Sequence, residues 1–303
     1  MLRQVVLGIA GRRTVRRLAA GGVGRRVALR FVAGETLDQA LEVIRSLNSR
    51  GAEVSIDHLG ENVTDPAMAE RATEAYEGAL ARIAAEGLRA NVSVKLTQMG
   101  LDVDGRLAYA NVARVAASAR EAATTVTLDM EDHRYTDRTI DACLRLTGAF
   151  PRHVGIALQA YLKRTPADLE RLIDAGAHVR LCKGAYREPH AIAHRRRSKV
   201  DDAFASLATR LLSSDAYAKI ATHDEDLIRH AIAQVERRKR ARETYEFQML
   251  YGVRRELQDR LLAEGHCVRI YVPFGDQWYP YLTRRIAERP ANVRFFAEAL
   301  LRK

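Results

Sequence analysis

The chain has few cysteines, no complete glycine-rich phosphate loop and no long apolar run. Cys143, Cys182 and Cys267 are its three cysteines, widely separated and without a C-x-x-C pair. That argues against a disulfide framework and a thiolate zinc site, and it fits a reducing cytoplasm. Each cysteine reads as a small buried hydrophobe. No stretch approaches the roughly 18 apolar residues of a membrane span, and Val5–Ala10 is too short for a signal-peptide core. Gly22-Val23-Gly24 is the nearest approach to a dinucleotide fingerprint, but Val27 stands where the third glycine belongs and the triplet precedes any strand. A Rossmann site is therefore disfavoured. Acid is missing from residues 1–34, which carry eight arginines (Arg3, Arg12, Arg13, Arg16, Arg17, Arg25, Arg26 and Arg30) and neither Asp nor Glu.

What is present is the composition of an ordinary folded protein: 303 residues, 47% hydrophobic and 29% charged. The length allows two average domains or one large α/β barrel. The excess of 49 basic over 38 acidic residues gives a net charge of +11, but the basic arm leaves only +3 for the other 269 residues. A nucleic-acid partner is therefore not expected. An organellar transit segment has a similar composition. Because Arg30–Gly34 runs without a break into the helical segment from Glu35, the reading preferred is a retained basic helix pair. The division expected is an N-terminal helical arm over 1–50 and a catalytic barrel over 51–303.

Apolar runs bounded by turn residues predict strands at Glu53–His58, Asn91–Thr97, Thr125–Met130, Val154–Ala160, His178–Cys182, Ala218–Thr222, Tyr245–Leu250 and Val268–Val272. Their starts lie 23 to 40 residues apart, and the gaps carry helix-period apolar positions, as in Pro66–Glu86, Leu107–Ala122 and Thr136–Leu146. Each gap can hold a crossover helix, so the strands are parallel. Eight such units in about 250 residues predict a closed (β/α)8 barrel.

In such a barrel the active site forms at the C-terminal strand ends. Polar residues collect there: Lys95, Asp129 and Glu131, Gln159 and Tyr161, Arg180 and Lys183, Thr222 and His223, Glu246 and Gln248, Arg269 and Tyr271. Lys95, Asp129, Arg180, Lys183 and Glu246 fall on predicted interior strands, where charges are rare unless paired or used. Past the last strand, Pro280 and Pro290 bracket a short predicted helix, Tyr281–Arg289. It places Tyr281, Arg284, Arg285 and Glu288 on one face. Two adjacent guanidiniums suit a small carboxylate. By spacing alone, a solvated face with an Arg284–Glu288 pair accounts for the pattern equally well.

Together these motifs resemble the proline dehydrogenase family of flavoenzymes. The pieces are G-E-T-L-D-Q-A-L (34–41), D-H-L-G-E (57–61), S-V-K-L-T-Q (93–98), L-D-M-E-D (128–132), L-Q-A-Y-L (158–162), R-L-C-K-G-A-Y (180–186), A-T-H-D (221–224), E-F-Q-M-L-Y-G (246–252), R-I-Y-V-P-F-G (269–275) and Y-L-T-R-R-I-A-E (281–288). Any one is weak; the ordered set is specific. The resemblance implies a monofunctional enzyme with a distorted, TIM-like (β/α)8 barrel and extra N-terminal helices. It also implies FAD as cofactor, L-proline as substrate and Δ1-pyrroline-5-carboxylate as product, the first step of proline catabolism. A quinone is the implied electron acceptor, and the basic arm would provide peripheral contact with the inner face of a membrane.

Carried over position by position, the resemblance implies that Lys95, Arg284 and Arg285 clamp the substrate carboxylate and that Asp129 lies beside the substrate. Tyr186, Leu250, Tyr271 and Tyr281 would wall the ring, with Glu288 on the same helix face and Glu61 as an acidic gate partner of Arg284. Tyr281 would also exclude a 4-hydroxyl group. Met130, Gln159, Arg180, Lys183, Gly184, Ala185, Thr222, His223 and Gln248 would contact FAD. Arg180 would stabilise negative charge on the reduced ring, and Lys183 or His223 would neutralise phosphate. Two departures stand out: Cys182 replaces the family's usual aliphatic residue, and the loop from Arg187 to Lys199 looks shorter than in many members. A competing reading is a metal-dependent barrel hydrolase or isomerase with Glu131, Asp132, His133 and His223 as ligands, which the Lys and Arg at the mouth oppose. A third is a nucleic-acid or membrane-surface binder acting through residues 1–34.

Overall fold

The computed structural model describes residues 29–279 and 281. Its strands are β1 Glu53–His58, β2 Ala90–Val94, β3 Val126–Leu128, β4 Val154–Gln159, β5 His178–Cys182, β6 Ala218–Ala221, β7 Tyr245–Leu250 and β8 Val268–Phe274. Each pairs in parallel with the next in chain order, and β8 returns to β1 to close the barrel. The helices are α1 Leu37–Ser49, α2 Pro66–Ala85, α3 Gly105–Glu121, α4 Thr136–Ala149, α5 Thr165–Asp174, α6 Arg197–Leu212, α7 Glu225–Arg237 and α8 Arg255–Ala263.

Local chemistry sets the helix starts. Thr36 and Gln39 form a capping box ahead of α1, while Asp65 followed by Pro66 opens α2. Asp104 and Asp224 cap α3 and α7 through backbone N–H groups two residues on. Helix α1 precedes the barrel and packs on β1 and β8. Just before it, Ala33 N donates to Pro273 O at 2.9 Å and Gly34 O accepts from Gly275 N at 2.9 Å, tying this segment to the end of β8. The basic helix pair expected over 1–34 lies outside the described residues except for 29–34, which form a turn and irregular chain. No helix among the described residues is long and apolar enough to cross a membrane.

All eight expected strands exist, with corrected ends. Strand β2 stops at Val94, because Gln98 N and Met99 N both donate to Lys95 O and turn the chain at once. Strand β3 spans only Val126–Leu128, and β8 runs on to Phe274. Lys95, Asp129 and Lys183 therefore sit just beyond strand ends rather than within strands.

The strands alternate, and the alternation divides two environments. Val54 and Ile56, Val92 and Val94, Val179 and Leu181, and Val268, Ile270 and Val272 belong to one apolar core with buried helix residues such as Leu41, Tyr76 and Phe204. The residues between them bridge strands that are not neighbours, so they fill the lumen. Arg180 Nη2 on β5 reaches Ser93 Oγ on β2 at 2.8 Å, and Lys219 Nζ on β6 donates to Thr127 Oγ1 on β3 at 3.0 Å. A Cβ on Gly155 of β4 would stand 2.8 Å from the His178 carbonyl oxygen on β5 and 3.3 Å from Lys219 Nζ, so the neighbouring backbone leaves room only for glycine there. Deeper in the barrel, Arg269 Nε donates to both oxygens of Glu246 at 2.9 Å, while its Nη2 pairs with Glu53. A lumen of charges is costly unless each finds a partner. Burial pushes the Glu246 carboxyl up, but Arg269 and Lys219 outweigh it and bring its pKa down to about 2. Burial likewise pulls the Lys219 amine down to about 7, with Glu246 opposing and Arg180 and Arg269 assisting.

Candidate active site

The lumen network rises to one mouth, at the C-terminal strand ends. Lys95 Nζ donates to Asp57 Oδ1 at 2.7 Å and lies 3.7 Å from Asp129 Oδ2. Asp129 in turn receives Arg180 Nη1 on Oδ1 at 2.5 Å and the Tyr271 hydroxyl on Oδ2 at 2.6 Å. The Arg180 guanidinium sits 5.3 Å from the Tyr271 ring centroid. Five side chains, from within β1, β5 and β8 and from just beyond β2 and β3, thus meet in one charged cluster. Burial opposes the Lys95 ammonium, but Asp57 and Asp129 more than offset it and hold its pKa above the ordinary lysine value. For Asp57, burial dominates over the attraction of Lys95 and raises its pKa. Burial also lifts the Tyr271 phenol well above its usual value, with Asp129 adding to the rise. Lys95 therefore stays cationic and Tyr271 protonated, which is the state that binds a carboxylate and donates a hydrogen bond.

A second arc of the mouth is built from amides and backbone. Gln159 is 2% exposed; its Nε2 donates to Glu131 O at 3.0 Å, and its Oε1 accepts from Ala185 N at 3.2 Å. Gln248 is 3% exposed and donates through Nε2 to Glu246 Oε1 at 2.5 Å, so the lumen charges fix which way its amide points. His223 Nε2 accepts from Leu250 N at 2.9 Å. Met130 and Thr222 are buried. Gly184 has φ +120, and a Cβ there would lie 2.4 Å from the Tyr161 ring, so the loop after β5 needs glycine. Arg180 Nε is buried with no hydrogen-bond partner among the described residues.

Of the sequence-derived candidates, the structure joins Lys95, Asp129, Arg180 and Tyr271 in one cluster and Gln159 with Ala185 in another. Tyr186 lies close enough to Lys95 to act on its charge. Tyr281 is 6% exposed, packed with Val32, Leu59 and Trp278. Trp278, Tyr279 and Tyr281 are helical, but Arg284, Arg285 and Glu288 lie outside the described residues. Lys183 is already paired with Asp201 at 2.5 Å and Asp224 at 2.8 Å, so its charge is balanced within the protein. Asp57 was quoted in a motif but given no role; the signal available was the alternating V-S-I-D of β1, which puts Ser55 and Asp57 on one face.

The four ligands of the metal reading are drawn to other partners. Glu131 is bound by Thr97, Asp132 by Arg134 and His133 by Glu188, while His223 Nε2 accepts the Leu250 amide. Among the described residues the donor atoms of Glu53, Glu246 and Cys267 do lie within 4.8 Å of one another, but Arg269 engages both carboxylates. Burial pushes the Cys267 thiol up to about 12, against thiolate chemistry there.

Comparison with known proteins gives consistent results. The family model described as "Proline dehydrogenase" matches residues 40–298. Proline dehydrogenase 1 of Bacillus subtilis (strain 168) is 37% identical over 303 residues, covering 100% of both chains. Proline dehydrogenase of Deinococcus radiodurans is 37% identical over 306 residues, covering 100% of this chain and 98% of that one. Among solved structures, proline utilization A from Bdellovibrio bacteriovorus, inactivated by N-propargylglycine, superposes with a TM-score of 0.83 at 22% identity. It covers 95% of this chain and 36% of that one, and supports the fold.

Proposed function

The chain belongs to the proline dehydrogenase family, and from that premise we propose that the barrel mouth binds L-proline against FAD through the residues described above. The protein is a flavin-linked oxidoreductase that converts L-proline to Δ1-pyrroline-5-carboxylate, the first step of proline catabolism. The observation that carries the assignment of the mouth is the cluster that Lys95, Asp57, Asp129, Arg180 and Tyr271 form.

The chain's own residues fit a flavin. A buried, unpartnered Arg180 Nε, two buried amides oriented by protein partners, and a backbone approach kept open by Gly184 suit a planar polyamide ring and its side chain. FAD, when bound, supplies the acceptor for the hydride that leaves proline C5. Arg180, Gln159 and Gln248 would hold it at the ring edge, with Met130, Ala185, Thr222 and His223 around it, while the Asp201 and Asp224 partners of Lys183 weigh against a phosphate role for that lysine. Lys95, with Arg284 and Arg285, would hold the proline carboxylate and so orient C5, converting binding energy into alignment. Asp129, held by Arg180 and Tyr271, would lie beside the bound substrate. Tyr186, Leu250, Tyr271 and Tyr281 would wall the ring, with Glu288 on the helix face of the two arginines. Tyr281 would reject a hydroxyl at C4 by size.

Under anaerobic conditions, proline should bleach the flavin absorbance of the purified yellow protein, hydroxyproline should do so far less well, and chelators should have no effect. A colourless protein, or one whose spectrum proline leaves unchanged, overturns the reading. Glu61, half-buried at the end of β1, is the proposed partner of Arg284 across the entrance. Glu61→Ala should raise the KM for proline by roughly three- to tenfold at unchanged flavin content; an unchanged KM removes that role. Electrons pass on to a quinone in this reading, with residues 1–34 providing contact with an anionic leaflet. Deleting residues 1–28 should then reduce binding to anionic vesicles while turnover with a soluble dye acceptor persists; equal vesicle binding by the shortened form would sink the idea.

A further inference from the structure

We propose that Glu131 is a positioning residue for substrate binding, locking together the three loops that carry Glu61, Lys95 and Asp129, and that it does so only as a carboxylate. The inference rests on the mouth being the proline site and adds a residue to it. Glu131 is 3% exposed. Its Oε1 accepts from Thr97 N at 3.1 Å and its Oε2 from Thr97 Oγ1 at 2.5 Å. Thr97 Oγ1 accepts from Asn62 N at 3.0 Å. Glu131 O accepts from Gln159 Nε2, and Gln159 Oε1 accepts from Ala185 N. One chain of hydrogen bonds therefore runs around the mouth from the β1 loop to the β5 loop, with Glu131 at its centre.

The chain has a direction. The Thr97 hydroxyl has a single proton, which it gives to Glu131, leaving lone pairs for the Asn62 N–H. That N–H belongs to Asn62, next to Glu61, with φ 54, a left-handed conformation that asparagine adopts more readily than other non-glycine residues. Thr97 itself lies two residues beyond Lys95 in the tight turn that ends β2. A neutral Glu131 would have to donate to Thr97 Oγ1, whose own proton then loses its acceptor, and the short charge-assisted bond would become an ordinary one. The charged groups facing the carboxyl from adjoining loops are Lys95 at the end of β2 and Glu61 at the end of β1; Asp132, His133 and Arg134 follow it on its own loop. Burial raises its pKa to about 7, with the two Thr97 bonds and Lys95 opposing and Glu61 assisting. It is therefore a carboxylate at mildly alkaline pH and neutral at mildly acidic pH. Lys219, on β6, gains positive charge over the same fall in pH, which would favour an anion, so it acts with the opposite sign.

The test uses the flavin-loaded enzyme and a proline analogue with a ring oxygen in place of the amine, which binds through its carboxylate and cannot be oxidised. Its Kd is read from the flavin difference spectrum between about pH 6 and about pH 8.5. In the unaltered protein the Kd should weaken roughly three- to tenfold as pH falls through the Glu131 titration. Glu131→Gln mimics the protonated group and should bind weakly without that step. Thr97→Val keeps the carboxylate but removes the link to Asn62, and should also lose the step. A step that survives in either flavin-loaded variant, or one absent from the unaltered protein, overturns the proposal. If Glu131→Gln does not hold flavin, Thr97→Val decides. Failure of proline to bleach the unaltered enzyme would instead refute the assignment of the site.

Discussion

Replacing Lys95 with methionine is expected to cut kcat/KM for proline by at least about a hundredfold. Methionine keeps the length and most of the volume of the side chain, so the change isolates the charge. Two losses coincide. The substrate carboxylate loses its ammonium partner in a site where Lys95 is only 12% exposed in its side chain. Removing one member of a buried, hydrogen-bonded charge pair costs roughly 2–5 kcal/mol. At the same time Asp57 and Asp129 lose the cation that lies 2.7 Å from one and 3.7 Å from the other. Like charges left facing each other in a buried site take up a proton instead, so Asp57, whose pKa burial already raises, should become neutral at higher pH. The Kd of the non-oxidisable proline analogue should weaken in parallel with kcat/KM, and flavin content should stay as it is. If the analogue binds the variant normally, Lys95 does not hold the carboxylate.

Arg269→Met should have the largest effect on stability, about 3–5 kcal/mol, because it leaves a fully buried Glu246 without its main counter-charge. Arg269 also donates through Nη1 to Val54 O at 3.0 Å, so the same change strips a backbone acceptor. The remaining partners of Glu246 are the Tyr217 hydroxyl at 3.1 Å and the Gln248 amide. A loss of that size corresponds to a fall in Tm of roughly 5–10 °C. The sign of the pH dependence follows from Glu246, whose folded pKa of about 2 lies below its unfolded value. Its contribution is present above the ordinary carboxylate range and is lost as pH falls toward 2. In the Arg269→Met variant that pKa should rise, moving acid unfolding to higher pH. The double variant Arg269→Met, Glu246→Leu should recover much of the stability, since a hydrophobic pair of similar volume can replace a buried ion pair. Denaturant unfolding of the three forms measures this directly; equal stability of Arg269→Met and the unaltered protein would show that the pair contributes nothing net.

Much of the architecture was legible because it depends on local patterning. Apolar runs with turn residues between them mark the eight strands, and gaps of helix period force crossovers and parallel pairing. Lys95, Asp129, Arg180 and Tyr271 stood out because charged and phenolic groups at strand ends need a reason to be there. Strand ends were less legible: Lys95 and Asp129 read as strand residues, but the turn from Lys95 O to Gln98 N and Met99 N ends β2 before Lys95, and β3 stops at Leu128, before Asp129.

The sequence by itself determined the barrel and, through its ordered motifs, the chemistry to expect at one mouth. Only the tertiary structure decided how the polar side of each strand is used. Arg180 reaches Ser93 across the lumen and Lys219 reaches Thr127, contacts 87 and 92 residues apart in the chain. It also gave Asp57 its place behind Lys95 and made Glu131, 34 residues beyond Thr97, the centre of a loop-locking chain. Alternation along a strand records which face a side chain takes, but not which residue of another strand it meets. That pairing depends on the register and closure of the whole sheet.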